Sequence, residues 1–227
     1  MIGVFDSGVG GLTALAELRR LMPHADIAYL ADKENAPYGT KSDAEVIVCA
    51  ERCISRLTAL GAKKILIACC TASTVYPYLS AESRSVSMPI IIPAARAAVA
   101  ASKNGRIAVI ATRATVRSRA FSRAIAAECK AHVIETDAQP LVALIEGGAR
   151  DGIPLAESET DILRSLLAPT QGFGADTLVL GCTHFPHLAR HISKLLPGIK
   201  LISPSTEGAI ETAKAVADCG GGRTIFI

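Results

Sequence analysis

The chain has 227 residues, of which 50% are hydrophobic, and a mean hydropathy of +0.35, which favours one or two folded domains and excludes disorder. A net charge of only +3, 4% aromatic residues and no Trp argue against a nucleic-acid partner, because neither a basic stripe nor a stacking surface is present. No apolar run reaches the ~20 residues of a membrane span, no signal-peptide pattern opens the chain, and the seven cysteines lack disulfide spacing. We therefore expect a cytoplasmic protein with no membrane partner.

The chain opens with a predicted strand, Ile2–Phe5, that runs into the glycine-rich segment 6–11 and then a helix to Leu21. A strand, a glycine-rich turn and a helix N-terminus together favour binding of an anion. The glycines do not follow the G-x-G-x-x-G spacing of dinucleotide sites. Glycines required only for a tight turn would explain the loop but not Asp6 and Ser7 at its mouth, so we take both as candidate site residues.

A second strand, 26–30, leads into a turn-rich loop that contains Pro37, Tyr38 and Gly39. Tyr38 is predicted to be an exposed aromatic that lines a site, although a loop tyrosine packed on its own scaffold is equally ordinary. Ser42 and Glu45 have the spacing of a capping box. They predict a helix that runs to about Leu60.

Two apolar runs end in the same way and organise the rest of the chain. Residues 64–68 lead into Cys69-Cys70-Thr71, and residues 176–181 lead into Cys182-Thr183-His184. Each run is typical of a buried parallel strand, and open α/β sheets bind ligands at the carboxyl ends of their strands. We therefore expect two halves that face one small ligand, each contributing a thiol.

The remaining segments continue an alternation of strands and helices. We predict strands at 89–93, 106–111, 130–136 and 224–227, and helices at 94–102, 140–146, 156–167 and 207–217. Thr112 and Thr115 follow the strand 106–111, and Glu146 ends the helix 140–146.

This order predicts an α/β fold of two similar domains with mainly parallel sheets, related by a pseudo-twofold, with the active site in the cleft between them. Residues 1–92 and 206–227 are predicted to form the first domain, and residues 93–205 the second.

Two thiols without a cofactor motif suit proton transfer at carbon, because cysteine titrates close enough to neutrality to act as a base or as an acid. A pair on opposite faces of an acidic carbon would invert a stereocentre. A zinc site of Cys69, Cys70, Cys182 and His184 is an alternative, although adjacent cysteines do not easily reach one tetrahedral ion. A redox dithiol is a further alternative, although the vicinal pair lacks C-x-x-C spacing.

Five segments in order resemble the signatures of the cofactor-independent aspartate/glutamate racemase superfamily, and of its glutamate racemases in particular. They are Asp6-Ser7-Gly8-Val9-Gly10-Gly11, Pro37-Tyr38-Gly39, Cys69-x-Thr71-Ala72-Ser73, Thr112-x-x-Thr115-Val116 and Gly181-Cys182-Thr183-His184. The resemblance covers nearly the whole chain. It implies an isomerase that interconverts L- and D-glutamate, supplies D-glutamate for peptidoglycan, uses neither pyridoxal phosphate nor metal, and forms a homodimer.

The resemblance also implies a role for each matching residue. Cys69 and Cys182 would be the catalytic acid/bases, assisted by Asp6, His184 and Glu146. The substrate would be bound by Asp6, Ser7, Pro37, Tyr38, Gly39, Cys70, Thr71, Thr112, Thr115, Thr183 and His184.

One position departs from the family pattern, since Cys70 stands where the family has Asn. A thiol is a weak donor and a weak acceptor, so this difference leaves two alternatives open. One is a racemase of aspartate or another acidic amino acid, and the other is a non-catalytic ligand-binding relative.

Overall fold

The computed structural model describes all 227 residues and contains nine strands in two entirely parallel sheets. The first sheet contains β1 (Ile2–Asp6), β2 (Ile27–Ala31), β3 (Lys64–Ile67), β4 (Ser87–Pro89) and β9 (Thr224–Phe226) in the order β4-β3-β1-β2-β9. The second contains β5 (Arg106–Ala111), β6 (His132–Asp137), β7 (Thr177–Gly181) and β8 (Lys200–Ile202) in the order β6-β5-β7-β8. The predicted α/β class with two mainly parallel sheets is confirmed.

Eleven α-helices connect and cover these strands. They are α1 (Leu12–Leu21), α2 (Asp43–Ala59), α3 (Cys70–Thr74), α4 (Ala81–Val86), α5 (Ile91–Ala101), α6 (Arg113–Ser118), α7 (Ala120–Glu128), α8 (Pro140–Glu146), α9 (Glu157–Phe173), α10 (Ala189–Leu195) and α11 (Pro204–Ala215). The predicted capping box at the start of α2 is present, because the Ser42 hydroxyl accepts the Glu45 N–H while the Glu45 carboxylate accepts the Ser42 N–H. None of these helices has the length and apolar character that crossing a membrane requires.

The two sheets repeat one topology, and this repeat fixes where a ligand binds. In the first sheet the chain goes from β1 to β2 on one side and returns to β3 on the other; in the second it goes from β5 to β6 and returns to β7. In each sheet the order in which strands are added therefore reverses next to its first strand. Parallel α/β sheets bind ligands at such switch points. The loops after β1 and β3 thus correspond to those after β5 and β7.

The core of the protein consists of three apolar clusters. A central cluster of 26 buried residues joins the facing sides of both sheets through α1, α5 and α7, and includes Val4, Leu18, Val109 and Phe121. A second cluster lies under α2, and a third under α8, α9 and α10. Because the central cluster draws residues from both halves, their packing supports the relative position of the two switch points.

The segment 89–93 is not the strand that its sequence predicts. The strand β4 ends at Pro89, and α5 already begins at Ile91. Pro93 lies in the first turn of α5, where a missing N–H breaks no intrahelical bond. The predicted helix 94–102 therefore starts earlier, and the apolar run between the two prolines supplies the N-cap, Ile90, and the first two residues of α5.

Two other helices have different limits from those predicted. The helix α9 continues past residue 167 and through Pro169 to Phe173. Its own residues Leu167 and Thr170 lie on its buried face, which continues through this last part of the helix. The last helix occupies Pro204–Ala215 rather than 207–217. The domain limits at 92/93 and 205/206 thus fall within the first turns of α5 and α11, and the division itself stays a prediction.

Candidate active site

The loops that follow β1, β3, β5 and β7 meet around one narrow cleft with a cavity volume of about 50 Å³. The cleft is lined by Ser7, Gly8, Ala36, Pro37, Tyr38, Gly39, Cys69, Cys70, Thr71, Thr112, Gln139, Val142, Glu146, Cys182, Thr183 and His184. Every residue that the sequence singled out is in this lining except Asp6 and Thr115. These two lie directly behind it and bond to residues that line the cleft.

Cys69 reaches the cleft because β3 ends just before it and α3 begins just after it. Its side chain caps that short helix by accepting the N–H of Ala72 at 3.4 Å, and its Sγ lies 3.5 Å from the Ser7 hydroxyl oxygen. Burial raises the pKa of the Cys69 thiol to about 12, and the negative charge of Asp6 adds to that effect. Cys69 is therefore a protonated thiol at neutral pH when the cleft holds no ligand.

Cys182 occupies the corresponding position after β7, and its side chain is also buried. Its Sγ lies 3.6 Å from Nδ1 of His184. Burial raises the pKa of the Cys182 thiol well above its usual value, the backbone hydrogen bond from His184 acts against this, and charge on Cys69 or Asp6 raises it further. The two thiols therefore influence each other's ionisation within one site.

Asp6 ends β1 and is fully buried between the two halves. One carboxylate oxygen accepts the Gly8 N–H at 3.0 Å, and the other accepts the hydroxyl of Thr183, from the second half, at 3.3 Å. Burial raises the pKa of Asp6, whereas positive charge on His184 and the hydrogen bonds to Asp6 lower it. Asp6 thus ties the Cys182 loop to the first half and supplies a titratable group behind the cleft.

His184 and Glu146 lie next to each other in the lining of the cleft. Nε2 of His184 lies 3.5 Å from a carboxylate oxygen of Glu146, within the range of an ion pair. The two groups are not aligned as a hydrogen bond, and Nε2 is buried without a hydrogen-bond partner. Since the Glu146 side chain is 59% exposed, its effect on His184 is an electrostatic one that solvent weakens.

Three threonine hydroxyls form a closed cluster beside the cleft. Oγ1 of Thr71 lies 3.0 Å from that of Thr112 and 3.2 Å from that of Thr115, and the latter two are 2.9 Å apart. Thr112 also caps α6. Because each hydroxyl can both donate and accept, such a cluster can turn a donor towards a carboxylate.

The loop that carries Pro37, Tyr38 and Gly39 lines the cleft from the first half. The side chain of Tyr38 is only 1% exposed, so the expectation of an exposed aromatic is wrong. Its hydroxyl donates to the buried carboxylate of Asp32 at 2.5 Å, and Arg52 pairs with the same carboxylate at 2.9 Å. This network holds the backbone of Tyr38 and Gly39 against the cleft.

Three residues of the lining were not singled out from the sequence, Ala36, Gln139 and Val142, and Gly8 was noted only as part of the glycine-rich segment 6–11. Gln139 stands between β6 and α8, so the rule that sites follow the carboxyl ends of parallel strands was a signal for it. The other three have no side-chain chemistry that a pattern would reveal.

The structure contains no group of three or more His, Cys, Asp or Glu side chains arranged to hold a metal ion. Cys69, Cys70, Cys182 and His184 line one cleft but do not converge on a common point, so the zinc alternative has no geometric support. All seven cysteines are free thiols.

Comparison with known proteins gives a consistent assignment. The sequence model of the Asp/Glu/hydantoin racemase family matches residues 12–212. A glutamate racemase of Herpetosiphon aurantiacus is 39% identical over 218 residues, which cover 95% of this chain and 84% of the relative.

Solved structures agree with this. Glutamate racemase isoform RacE1 of Bacillus anthracis superposes with a TM-score of 0.91 at 31% identity and covers 100% of this chain and 86% of its own. The glutamate racemase of Francisella tularensis, solved in complex with D-glutamate, has a TM-score of 0.87 at 29% identity, with coverage of 99% and 86%. The chain therefore belongs to the Asp/Glu/hydantoin racemase family of isomerases, and within that family it groups with the glutamate racemases.

Proposed function

We propose that this protein interconverts L- and D-glutamate by moving a proton on and off Cα between Cys69 and Cys182. The observation that carries the proposal is that two buried thiols, from equivalent strand ends of the two sheets, line one cleft. The glutamate racemases to which the chain is similar support glutamate as the substrate.

The proposed reaction has two proton transfers. With D-glutamate bound, the Cys69 thiolate takes the α-proton, so that an S–H bond forms while the Cα–H bond breaks and its electron pair stays on Cα. The Cys182 thiol then gives its proton to the opposite face of Cα, which leaves L-glutamate and a Cys182 thiolate. The reverse direction exchanges the two roles, and each step is general acid–base catalysis.

The raised thiol pKa values have two consequences for this chemistry. A thiolate whose conjugate acid has a pKa of about 12 is a stronger base towards a weakly acidic carbon than an ordinary cysteine thiolate. Forming it in an empty, buried cleft is costly, but the substrate's ammonium group brings a positive charge that favours the ionised thiol. Substrate binding therefore helps to prepare the base.

The neighbouring groups have supporting roles in the proposal. Asp6 and His184 manage the protons of Cys69 and Cys182, Thr183 holds Asp6 in place, and Glu146 supports His184. The substrate is held by the hydroxyls of Ser7, Thr71, Thr112, Thr115 and Thr183 and by the loop of Pro37, Tyr38 and Gly39, with Cys70 beside them. These roles rest on the positions of the groups around the cleft.

We also infer the biological setting from the family. The protein would act in the cytoplasm as a homodimer and supply D-glutamate for peptidoglycan, without a cofactor. Light scattering of the purified protein tests the dimer, because a mass corresponding to one chain would contradict it.

The reaction is tested with the wild-type protein in deuterated buffer. A racemase must incorporate solvent deuterium at Cα of either glutamate enantiomer while the optical activity decays to zero. A binding protein without activity leaves Cα unlabelled, and exchange with aspartate but not with glutamate would assign a different acidic substrate.

A further inference from the structure

Gln139 is a lining residue to which none of the roles above has been given. It lies between β6 and α8, at the border between the cleft and an outer groove formed with Arg113, Pro140 and Ala143. Its side chain is half-buried. It therefore lies at the outer edge of the cleft.

The backbone at Gln139 is firmly placed. Its N–H donates to one carboxylate oxygen of Asp137 at 2.9 Å, and the other oxygen of Asp137 accepts Nε of Arg113 at 2.9 Å. Gln139 Oε1 in turn accepts the backbone N–H of Arg113 at 3.4 Å. These bonds hold the side-chain amide of Gln139 at the N-terminus of α6.

The side-chain amide also touches the opposite half of the protein. Its Oε1 lies 2.5 Å from the position that a Cβ of Gly39 would occupy, and Thr112 lies 3.1 Å from the same position. Any side chain at residue 39 would displace the amide. The glycine and the glutamine therefore close one side of the cleft mouth together.

The orientation of the amide leaves its donor group free. The hydrogen bonds of Gln139 to the protein use Oε1 and its backbone N–H and C=O. With Oε1 occupied between Gly39 and Arg113, the two N–H groups of Nε2 remain. A carboxylate has only acceptors, and is the natural partner of such a donor pair.

We propose that Gln139 is a substrate-binding and specificity residue, whose Nε2 donates to a carboxylate of the bound amino acid at the outer edge of the cleft. The inference rests on the proposed function, because it takes an acidic amino acid as the ligand. It assigns to one neutral side chain the discrimination between a carboxylate and an uncharged group at this end of the substrate.

Three variants test the role: Gln139→Leu removes the donor, Gln139→Glu replaces it with a negative charge of the same shape, and Gln171→Glu makes the same charge change on the exposed surface of α9. We expect KM for both enantiomers to rise about 10-fold in Gln139→Leu and about 100-fold in Gln139→Glu, because a hydrogen bond to a charged group is lost and then replaced by repulsion. We expect kcat to change less than about 3-fold, since the contact exists in ground and transition states alike. Gln171→Glu should match the wild type.

The pH dependence separates a substrate contact from a structural role. As pH falls through the carboxyl range near ~4–5, the KM ratio of Gln139→Glu to wild type should fall, whereas that of Gln139→Leu should stay constant. Equal and pH-independent KM values in the two variants, or wild-type KM in Gln139→Glu, would overturn the proposal.

Different results would overturn the proposed racemisation and the proposed role of Gln139. If wild-type protein incorporates no deuterium into glutamate, the proposed function is wrong, and calorimetric titration of glutamate into wild type and Gln139→Glu still tests the contact. Equal affinities in that titration would overturn the role of Gln139.

Discussion

Gly10 is the position at which one added methyl group should disable the site without touching a reacting atom. A Cβ at residue 10 would lie 2.8 Å from Nδ1 and 2.9 Å from Cε1 of His184, and closer still to the Thr183 hydroxyl. Gly10→Ala therefore drives the β1 loop of one half into the Cys182 loop of the other.

The size of the effect follows from these contacts. The imidazole must move by about half an ångström or more to reach ordinary contact distance, and its side chain is only 11% exposed, so it has little room. The 3.6 Å approach of Cys182 Sγ to His184 Nδ1 is then lost. A misplacement near 1 Å costs ~100-fold in rate, so we expect kcat to fall about 10- to 100-fold, and overpacking to lower the free energy of unfolding by about 1–3 kcal/mol.

The assay is the initial rate of racemisation at saturating glutamate, followed by circular dichroism, together with urea unfolding. Gly172→Ala is the matched control, because a Cβ there meets nothing within 4 Å and residue 172 lies inside α9. It should racemise at the wild-type rate and unfold with about 0.5–1 kcal/mol more stability. A folded Gly10→Ala protein with the wild-type kcat would refute the argument that His184 must keep its position.

Two further predictions concern single side chains. Cys70→Asn should lower KM for glutamate, because an amide donates to a carboxylate better than a thiol does; an unchanged KM would show that residue 70 does not contact the substrate. Asp176→Asn should lower the free energy of unfolding by about 1 kcal/mol at neutral pH, because its carboxylate accepts bonds from Ser102 at 2.7 Å, Lys103 at 2.6 Å and Asn104 at 2.7 Å. Burial acts to raise the pKa of Asp176, but these bonds outweigh it and lower that pKa, so the stabilisation is present above the usual carboxyl range and should be lost as pH falls through the folded-state pKa. A wild-type to Asp176→Asn stability difference that is independent of pH in urea titrations would contradict this.

The sequence was most informative where a clearly predicted strand is followed directly by a reactive side chain. Cys69 and Cys182 each follow a short apolar run and are each followed by a threonine, and this repeated pattern made their common location at strand ends predictable. The pairing of the two ends in one cleft depends on the repeated switch-point topology, which the alternation of strands and helices suggested.

Other features depend on contacts between residues that are far apart in the sequence, which a local sequence pattern does not show. The run at 89–93 is apolar and β-branched, and such a run does not distinguish a strand from the start of a buried helix. Tyr38 is buried because its ring packs in the apolar cluster under α2 and its hydroxyl donates to the buried carboxylate of Asp32. Gln139 has a role only because Gly39, a hundred residues earlier, leaves room for its amide.

The proposed racemisation requires two thiols that work on opposite faces of Cα. The most direct measurement uses each enantiomer with Cys69→Ser and Cys182→Ser in deuterated buffer. We predict that both variants lose racemisation, and that each still exchanges the α-proton of one enantiomer only: D-glutamate where Cys69 remains, and L-glutamate where Cys182 remains. Racemisation that persists in either variant, or exchange of the same enantiomer in both, would contradict the two-thiol mechanism.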